Sequence, residues 1–503
     1  MNHIVPQPRV SLARLFLALA TWLVLPTATV FAQEKPTGAL PEVPRGEATP
    51  PRPAAESFPQ PGPVQVSPTL ESRIDEIDRR TQIAVKQLEL STQKASAQAA
   101  PTVTAEEAGF GISSPDRQFQ VRIHGQLQVD GRRFFGDDSL RDLDTFLVRR
   151  ARPTIEVTLG GIADALITPD FAGGTLQLFD AFIDVHPQPW LRLRAGKFKP
   201  PIGLERLQSD NSLVFLERAI DQDLSAQRDV GVQLWGEVAD ALVRYEAGIF
   251  NGAPDSALND IDSSYSKSLA GRVFIQPFAD ASLRWLGRLG FGFAAETGSE
   301  KGSAAISGGA VTGTWLGSFK SIGQNTIFSY LASTTDTTQT VVSLHRHTRL
   351  NPQLYYYFGP FGLESEYLHE RQAVAKNGAE SAVSNSAGHV TVAYVVGGKR
   401  TYQGPRVIAP FNLANGTLGA VEIGARYNWL TVDGSAFPGL SDPTKSVAKA
   451  KGFGGVVSWY LTQSLRLAAS YDQTAFTGGA KSGSTTVDRK TERILIGRLQ
   501  VGY

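Results

Sequence analysis

Glu492-Arg493-Ile494-Leu495-Ile496-Gly497-Arg498-Leu499-Gln500-Val501-Gly502-Tyr503 is the stretch that decides the fold, because it alternates up to its last residue. Leu495, Leu499, Val501 and Tyr503 share one face of a strand, and Arg498 and Gln500 share the other. The stretch therefore reads as an amphipathic strand that stops on an aromatic residue. Such an ending is typical of outer-membrane β-barrels, whose last strand pairs with the first. An ordinary soluble strand is the alternative.

The same period of two recurs from about residue 116 onward. It is clear in 119–130, 150–159, 190–198, 229–238, 241–250, 269–278, 288–296, 346–358, 419–431, 464–472 and 492–503. It is weaker in 175–185, 305–317, 324–332, 361–370, 388–396 and 452–461. A tilted strand needs about 9 to 11 residues to cross the hydrocarbon layer. The count predicts an all-β fold, an antiparallel transmembrane β-barrel over residues 116–503 with roughly 16 strands, an even number as in bacterial barrels.

The polar face of these strands carries many charges. They are Arg122, Arg150, Arg152, Glu156, Arg192, Arg194, Arg244, Glu246, Arg272 and Arg426. A soluble sandwich with this face inward would bury them at a severe desolvation cost. A barrel of this size instead encloses water. A soluble secreted β-protein that binds glycans through its aromatic residues is a weaker alternative.

The N-terminal residues predict export. Arg9 and Arg14 precede an apolar stretch at 15–24 and a small-residue cleavage site at 30–32, so residues 1–32 read as a signal peptide. Residues 33–68 contain ten prolines and read as an extended linker. After these segments the sequence contains no run of about 18 consecutive apolar residues, so it predicts no membrane-spanning helix.

A heptad pattern follows the linker. Leu70, Ile74, Ile77, Thr81, Ala84 and Leu88 are spaced by four and three residues in turn. Residues 69–100 therefore predict a short periplasmic coiled-coil helix that begins near Ser67 or Pro68 and fades after Lys94. A lone amphipathic helix lying on the barrel is the alternative, because three heptads with Thr81 and Ala84 in the seam make a weak zipper.

Composition excludes several classes of protein. The 503 residues include no cysteine, which excludes a disulfide framework. Without residues 1–32 the chain has 47 Lys+Arg and 48 Asp+Glu, a net charge of −1, so no global basic field for nucleic acid is present. No nucleophile elbow or dinucleotide loop is found, and we expect neither an enzyme nor a cofactor. His345 and His347 are expected to be a surface pair rather than metal ligands.

Several segments resemble a known family. Leu147-Val148-Arg149-Arg150-Ala151-Arg152-Pro153 comes first, followed by Gly196-Lys197-Phe198-Lys199-Pro200-Pro201-Ile202-Gly203-Leu204-Glu205-Arg206-Leu207 and Phe215-Leu216-Glu217-Arg218. Later segments at 227–234 and 419–430 add to the set. In this order they resemble the phosphate-selective porin O and P family over about residues 116–503.

The resemblance implies a trimeric, 16-stranded channel in outer-membrane lipid, with inward-folded loops and basic side chains that guide anions such as phosphate or polyphosphate. The function expected from it is passive diffusion of anions or other small polar solutes, without a cofactor. The alternative function is a structural tether that links the barrel to the cell wall, through a contact of the coiled coil with peptidoglycan.

Residues 199–228 are the expected constriction loop, because a turn-rich stretch there separates two strands by more than a hairpin needs. The candidate anion contacts in this loop are Lys199, Arg206, Arg218 and Arg228, with Glu205, Glu217, Asp221 and Asp223 as balancing acids. Salt bridges within the loop are the alternative role for Arg206 and Arg218. The candidates on the wall are Arg150, Arg152, Arg192, Arg194, Arg244, Arg272 and Arg426, with Asp180 and Asp184 facing the same water.

Overall fold

The computed structural model describes residues 70–98, 100–106, 109–136, 144–255, 257–258, 267–279 and 285–503. The predicted signal peptide and the Pro-rich linker lie outside these residues. Helix α1 spans Leu70–Gln98, close to the predicted helix. That the heptad positions of this helix pack against another helix in a coiled coil stays a prediction. Among the described helices, none has the length and apolarity needed to cross a membrane.

Sixteen strands of the described residues form the main sheet. They are β1 (Gln120–Phe134), β2 (Thr145–Leu159), β3 (Ala163–Asp170), β4 (Gln177–Gln188), β5 (Leu191–Phe198), β6 (Asp229–Val238), β7 (Val243–Phe250), β8 (Ser268–Ile275), β9 (Leu289–Lys301), β10 (Val342–Phe358), β11 (Phe361–Lys376), β12 (Ala379–Val396), β13 (Ala420–Thr431), β14 (Val447–Tyr460), β15 (Leu465–Ser482) and β16 (Glu492–Gly502).

The sheet closes on itself. Each strand pairs antiparallel with the next, and β16 pairs with β1 from Ile494↔Phe134 to Gly502↔Gln126. Closure satisfies the backbone hydrogen bonds of every strand and leaves no open edge, as a structure in lipid requires. The predicted 16-stranded antiparallel barrel is confirmed.

Alternation along the strands orients the side chains as predicted. In β16, Leu499 is 48% exposed on the outer face, whereas Arg498 is 4% exposed and points inward. In β1, Leu127 and Val129 are exposed, and Gln128 and Asp130 are buried in the lumen. The barrel therefore has an apolar outer face and a polar interior.

Three strand predictions differ from the structure. Segments 305–317 and 324–332 are not barrel strands, because they lie in the long connection between β9 and β10. They form parts of small two-stranded pairs, Ala305–Ser307 with Ala310–Thr312 and Phe319–Lys320 with Thr326–Phe328. Strand β3 was not predicted, since its Leu166 and Ile167 are adjacent apolar residues that break the alternation.

Two β-bulges change which side chains enter the lumen. In β2, Arg150 pairs with Gln128 and Val148 with Val129, so Arg149 is the extra residue. In β4, Asp180 pairs with Thr168 and Leu178 with Pro169, so Phe179 is the extra residue. A bulge shifts the alternation by one residue. Both extra side chains therefore contact groups in the lumen, whereas strict alternation would place them on the outer face.

A short hairpin precedes the barrel. Its strands, Thr102–Glu106 and Gly109–Ser113, pair with each other, and the second pairs with residues 120–123 of β1. The same edge of β1 pairs with β16 farther along, at residues 126–134. The hairpin therefore continues the wall beyond the end of β16.

Candidate functional site in the barrel lumen

The connection between β5 and β6, residues 199–228, folds into the barrel, as predicted for a constriction loop. We call this segment the inner loop. It contains the short helix α2 (Leu204–Leu207) and a 3-10 turn at Ile220–Leu224, and most of its side chains are buried. Gly203 begins the helix with φ of 84°, and a Cβ there would lie 2.6 Å from Cβ of Arg206. Glycine is therefore needed for this tight turn.

Polar groups on the far wall hold the helical part of the inner loop. The carboxylate of Glu366 on β11 accepts hydrogen bonds from the backbone N–H groups of Leu204 (2.6 Å) and Glu205 (2.8 Å). His389 on β12 contacts Asp221, with Nδ1 3.0 Å from a carboxylate oxygen. Negative charge at a helix N-terminus and a paired buried imidazole both stabilise this docking.

Four arginines hold the central part of the inner loop, and we call them the anchoring arginines. Arg466 donates to the carbonyl oxygens of Leu213 (2.9 Å) and Val214 (2.6 Å). The other three, Arg400, Arg426 and Arg498, donate to the carbonyl oxygens of Ser212, Glu217 and Leu216, respectively. A guanidinium has five N–H donors, so one side chain can bind two strands and the loop together.

Apolar packing completes the attachment. Ile220 and Leu224 of the inner loop join a buried cluster with Leu368 and Leu430 of the wall, and Phe215 packs with Val456. Full burial of such side chains contributes about 1.5–3 kcal/mol each. The inner loop therefore fills the side of the lumen that β11–β16 enclose.

Two cavities remain on the opposite side of the lumen. The loop-end cavity of about 710 Å³ is lined by residues of the connections after β3 and β9, such as Gly173 and Gln324. The turn-end cavity of about 570 Å³ reaches His124 and Tyr503 near the short turns. Both cavities are lined by Arg152, Asp210 and Arg228. These three residues therefore mark the narrow region where the cavities meet.

Basic side chains outnumber acidic ones around both cavities. The loop-end cavity is lined by eight basic residues, Arg132, Arg149, Arg150, Arg152, Arg206, Arg218, Arg228 and Lys320, and by four acidic residues, Asp170, Asp210, Glu217 and Asp223. The turn-end cavity is lined by six Lys and Arg residues and four Asp and Glu residues. A local positive excess thus exists inside a chain whose total charge is close to zero.

Two carboxylates of the inner loop organise these arginines. Asp210 contacts the guanidinium groups of Arg150 (3.2 Å), Arg218 (3.0 Å) and Arg152. Glu217 contacts Arg132 (2.6 Å) and Arg149 (2.6 Å) from the wall. Each carboxylate carries one negative charge and contacts two or three positively charged guanidiniums. The carboxylates therefore order the clusters but leave them with a net positive charge.

An aromatic ring separates two of the arginines at the narrow region. The guanidinium carbon of Arg152 lies 3.7 Å from the ring centroid of Phe179, and that of Arg228 lies 4.9 Å from it. Cation–π contacts of this kind fix the plane of a guanidinium without neutralising its charge. We call Arg149, Arg150, Arg152 and Arg228 the lumen arginines.

Comparison with known proteins identifies the family. A model described as phosphate-selective porin O and P matches residues 121–503. The chain belongs to this family. Since porins of this kind are outer-membrane channels, the closed barrel with its water-accessible lumen is an outer-membrane channel.

Three solved structures illustrate the proteins whose chain path is similar at low sequence identity. The outer membrane channel DcaP of Acinetobacter baumannii is 11% identical with a TM-score of 0.47, and the match covers 79% of this chain and 100% of DcaP. An anion-selective porin from Comamonas acidovorans is 9% identical with a TM-score of 0.47 over 76% and 100% of the two chains. OmpT of Vibrio cholerae is 12% identical with a TM-score of 0.45 over 77% and 98%. No curated protein matches the sequence significantly.

The structure places most of the candidate residues of this porin around the two cavities. These are Lys199, Arg206, Arg218, Arg228, Arg150, Arg152, Arg194, Arg244 and Arg272. Arg192 and Arg426 line neither cavity. Arg192 contacts Asp184 (3.3 Å) and the ring of Trp235, and Arg426 is an anchoring arginine. The role of each residue as an anion contact stays a prediction.

Loop salt bridges explain only part of the inner-loop cations. Arg218 is paired with Asp210, as the alternative for this residue supposes, although its adjacent acid Glu217 binds other arginines. Lys199 donates to the carbonyl oxygen of Gln208 (2.6 Å), and Arg206 donates to that of Gln222. Carbonyl oxygens hold these two side chains without cancelling their charge.

Sequence reasoning missed several residues of the site in this porin. Arg132, Arg149 and Phe179 were not candidates, because strict alternation gives no sign of a bulge at Arg149 or Phe179. Asp210 and Glu217 were not predicted to collect several arginines each. Only Arg132 could have been found from the sequence, because it follows Gln128 and Asp130 at a spacing of two on the inward face of β1.

The predicted surface pair of histidines is wrong for one member. His345 is exposed, with its side chain 66% accessible, but His347 is buried between Glu300 and Glu370. A break in pairing between Ser343 and His347 separates their environments. Spacing alone placed both on one face and did not reveal the carboxylates of neighbouring strands.

Proposed function

We propose that this porin is a passive diffusion channel whose narrowed lumen favours small anions, such as phosphate or polyphosphate, over cations of the same size. The observation that carries the proposal is the cluster at the narrow region, where three guanidiniums face Asp210 and one of them, Arg152, also pairs with Asp170, so three positive charges meet two negative ones. Fixed cations act strongly on a permeating ion there, because the narrow lumen leaves little water for screening.

Oxyanions fit this arrangement by geometry as well as by charge. Guanidinium groups present paired N–H donors that match two oxygens of a phosphate or carboxylate. Arg150 and Arg152 both contact the same carboxylate oxygen of Asp210 through one nitrogen each, so other donors of these guanidiniums remain for a permeating oxyanion. Partial occupation of the donors by Asp210 keeps binding weak enough for release, as conduction requires.

Reversal potentials across a salt gradient test the proposal in planar bilayers. The purified porin should show stepwise ohmic conductance and a reversal potential displaced towards the anion. Phosphate added to a chloride solution should reduce the chloride current. A preference for cations would overturn the anion proposal and leave the membership in the porin family intact.

A charge-reversed variant tests the role of the inner loop. Lys199→Glu combined with Arg228→Glu should weaken or reverse the anion preference, because both residues line the turn-end cavity. Lys481→Glu is the matched control, since Lys481 is exposed near the end of β15. Unchanged selectivity in the double variant would discard the inner loop as the selective element.

The same proposal includes the export, the oligomeric state and the orientation of the porin. Residues 1–32 direct export, the barrel associates as a homotrimer, and the short turns face the periplasm, as in outer-membrane barrels. Mass measurement of the detergent-solubilised protein tests the trimer. A monomer at concentrations where the channel conducts would contradict it.

A structural tether is the second candidate function. Along α1, Ile77 is 63% exposed and Leu88 is 68% exposed, which favours a partner for this helix, either other copies or the cell wall with its peptidoglycan. Deletion of residues 33–100 separates the two functions. A channel should keep its conductance, whereas a tether should lose envelope cohesion with the deletion.

A further inference from the structure

We propose that Asp255, His347 and Glu370 bind a divalent transition-metal cation such as Zn²⁺ near the loop end of the barrel. One ligand atom from each of these three buried residues can be chosen so that all lie within 4.8 Å of one another. The residues come from the connection after β7 and from the neighbouring strands β10 and β11. This site is separate from the two cavities of the lumen.

The imidazole of His347 is the first sign of a ligand. The residue is fully buried, yet neither ring nitrogen makes a hydrogen bond among the described residues. Nε2 lies 3.5 Å from a carboxylate oxygen of Glu370, which is too long for a hydrogen bond. Two donors that share a tetrahedral ion with bonds of about 2.1 Å lie roughly 3.4 Å apart. The separation therefore fits a shared ion better than direct pairing.

The other ring nitrogen faces a supporting carboxylate. Nδ1 of His347 lies 3.4 Å from Glu300, whose second oxygen accepts a hydrogen bond from Ser343 (3.0 Å). A metal-bound histidine usually donates its other N–H to a carboxylate, which fixes the tautomer and the ring. Glu300 occupies this position, and its free oxygen has no hydrogen-bond partner among the described residues.

Charge and space support the same site. Four buried carboxylates, Asp255, Glu296, Glu300 and Glu370, outnumber the two basic groups that lie among them, Arg349 and His347. Arg349 binds Asp255 (2.5 Å) and Glu296 (2.7 Å), which orients Asp255 without balancing the cluster. A cavity of about 10 Å³ is lined by Asp255, Glu300 and Glu370, which is room for about one water molecule.

One imidazole and two carboxylates select the kind of metal. Nitrogen and oxygen donors together suit Zn²⁺ and its neighbours, whereas Ca²⁺ and Mg²⁺ prefer sites made of oxygen alone. The water-sized cavity beside Asp255 and Glu370 has room for a water molecule as a further ligand. A bound ion would tie the connection after β7 to β10 and β11, and would stabilise this end of the barrel by the free energy of binding.

Metal content of the full-length, tag-free protein tests the site. After treatment with a chelator and equilibration with Zn²⁺, the folded porin should retain one equivalent per chain, measured by mass spectrometry of the metal. His347→Gln should lower the affinity for Zn²⁺ at least tenfold, and Glu300→Gln should lower it roughly tenfold to a hundredfold. His345→Gln is the matched control, because this exposed neighbour should leave binding unchanged.

Two measurements on the wild-type protein decide the matter even if a variant fails to fold. X-ray absorption at the zinc edge should show one imidazole nitrogen among oxygen ligands, and Zn²⁺ should raise the thermal unfolding midpoint of the barrel. Retention of no zinc would overturn the site. Binding of Ca²⁺ in place of Zn²⁺, or a spectrum without nitrogen, would also overturn it.

Discussion

Two sets of arginines in one lumen have opposite roles. The anchoring arginines, on β13, β15 and β16 and the hairpin Gly398–Thr401 with Gly404–Val407, donate to carbonyl oxygens of the inner loop and are covered by it. The lumen arginines, on β2 and at the end of the inner loop, contact carboxylates and line open cavities. The residue type is the same in both places, and the position of the inner loop decides the role.

The comparison teaches how a neutral chain keeps a basic passage. The anchoring arginines donate to backbone carbonyl groups of the inner loop, and three of them, Arg400, Arg426 and Arg498, also pair with buried carboxylates, so the folded loop hides their charge from water. On the other side, a few carboxylates order several guanidiniums each, so charge remains in contact with the solution. If the passage selects anions as proposed, we expect the selectivity to depend on where the inner loop lies more than on the number of basic residues.

Removal of an anchoring arginine should have the largest effect. Arg466→Ala leaves the carbonyl oxygens of Leu213 and Val214 without donors, and two charge-assisted hydrogen bonds contribute roughly 3 kcal/mol. The inner loop should loosen, so the unfolding midpoint should fall and single-channel conductance should rise with more noise. Thermal scans and bilayer recordings check both. Arg466→Lys, which keeps one donor group, should be affected less; equal conductance in all three proteins would contradict the anchoring role.

Neutralising a lumen arginine should change selectivity with little change in stability of the inner loop. Arg152→Gln removes one positive charge where the two cavities meet, and the anion-to-cation permeability ratio should fall roughly twofold to fivefold. Reversal potentials measure the ratio. Arg152→Lys keeps the charge as a control and should preserve most of it. A ratio unaffected by Arg152→Gln would place the selective region elsewhere.

Removing the aromatic ring between two lumen arginines should have a moderate effect. Phe179→Leu keeps the apolar bulk and removes two cation–π contacts, each worth about 1 kcal/mol. Arg152 and Arg228 should then adopt more conformations, so current noise should increase while the sign of the selectivity stays the same. Single-channel recordings show this directly. A reversal of selectivity would contradict a role of the ring that is limited to positioning the two guanidiniums.

The smallest change in anion preference is expected for Arg192 and Arg194, two arginines on the same face of β5. Both side chains contact Asp184 and the ring of Trp235, but only Arg194 lines the turn-end cavity. Arg194→Ala should lower the anion preference slightly, and Arg192→Ala should leave it unchanged within error. Reversal potentials of the two variants make a matched pair. Equal shifts would show that the distinction between cavity and wall does not matter for the ions.

The barrel was predictable because lipid and water impose a period of two on every strand. Residues 229–238 were predicted as a strand, and β6 spans Asp229–Val238. The same rule failed where apolar residues have another role. Ile327 and Phe328 lie in the connection between β9 and β10 and are buried with other loop residues, so their pattern imitates a strand.

The site was predictable in outline and not in its details. The length and turn residues of 199–228 indicated the inner loop, and parity placed Arg150 and Arg152 in the lumen. The bulges at Arg149 and Phe179 depend on pairing with the adjacent strand, which one segment of sequence does not contain. The partner of Arg426, the carbonyl oxygen of Glu217, likewise comes from the distant inner loop, and that of His347, Glu370, comes from the adjacent strand β11.

The hairpin at Thr102–Glu106 and Gly109–Ser113 sets the register in which the ring of strands can close. It occupies the edge of β1 at residues 120–123, and Tyr503 exchanges two backbone hydrogen bonds with Gly125 immediately beside it. The ring of Phe110 lies 6.2 Å from that of Tyr503. If β16 slipped two residues further, its end would collide with the hairpin, and a one-residue slip would turn Arg498 and Gln500 of β16 towards lipid. The hairpin thus limits how far the closing strand can advance along β1.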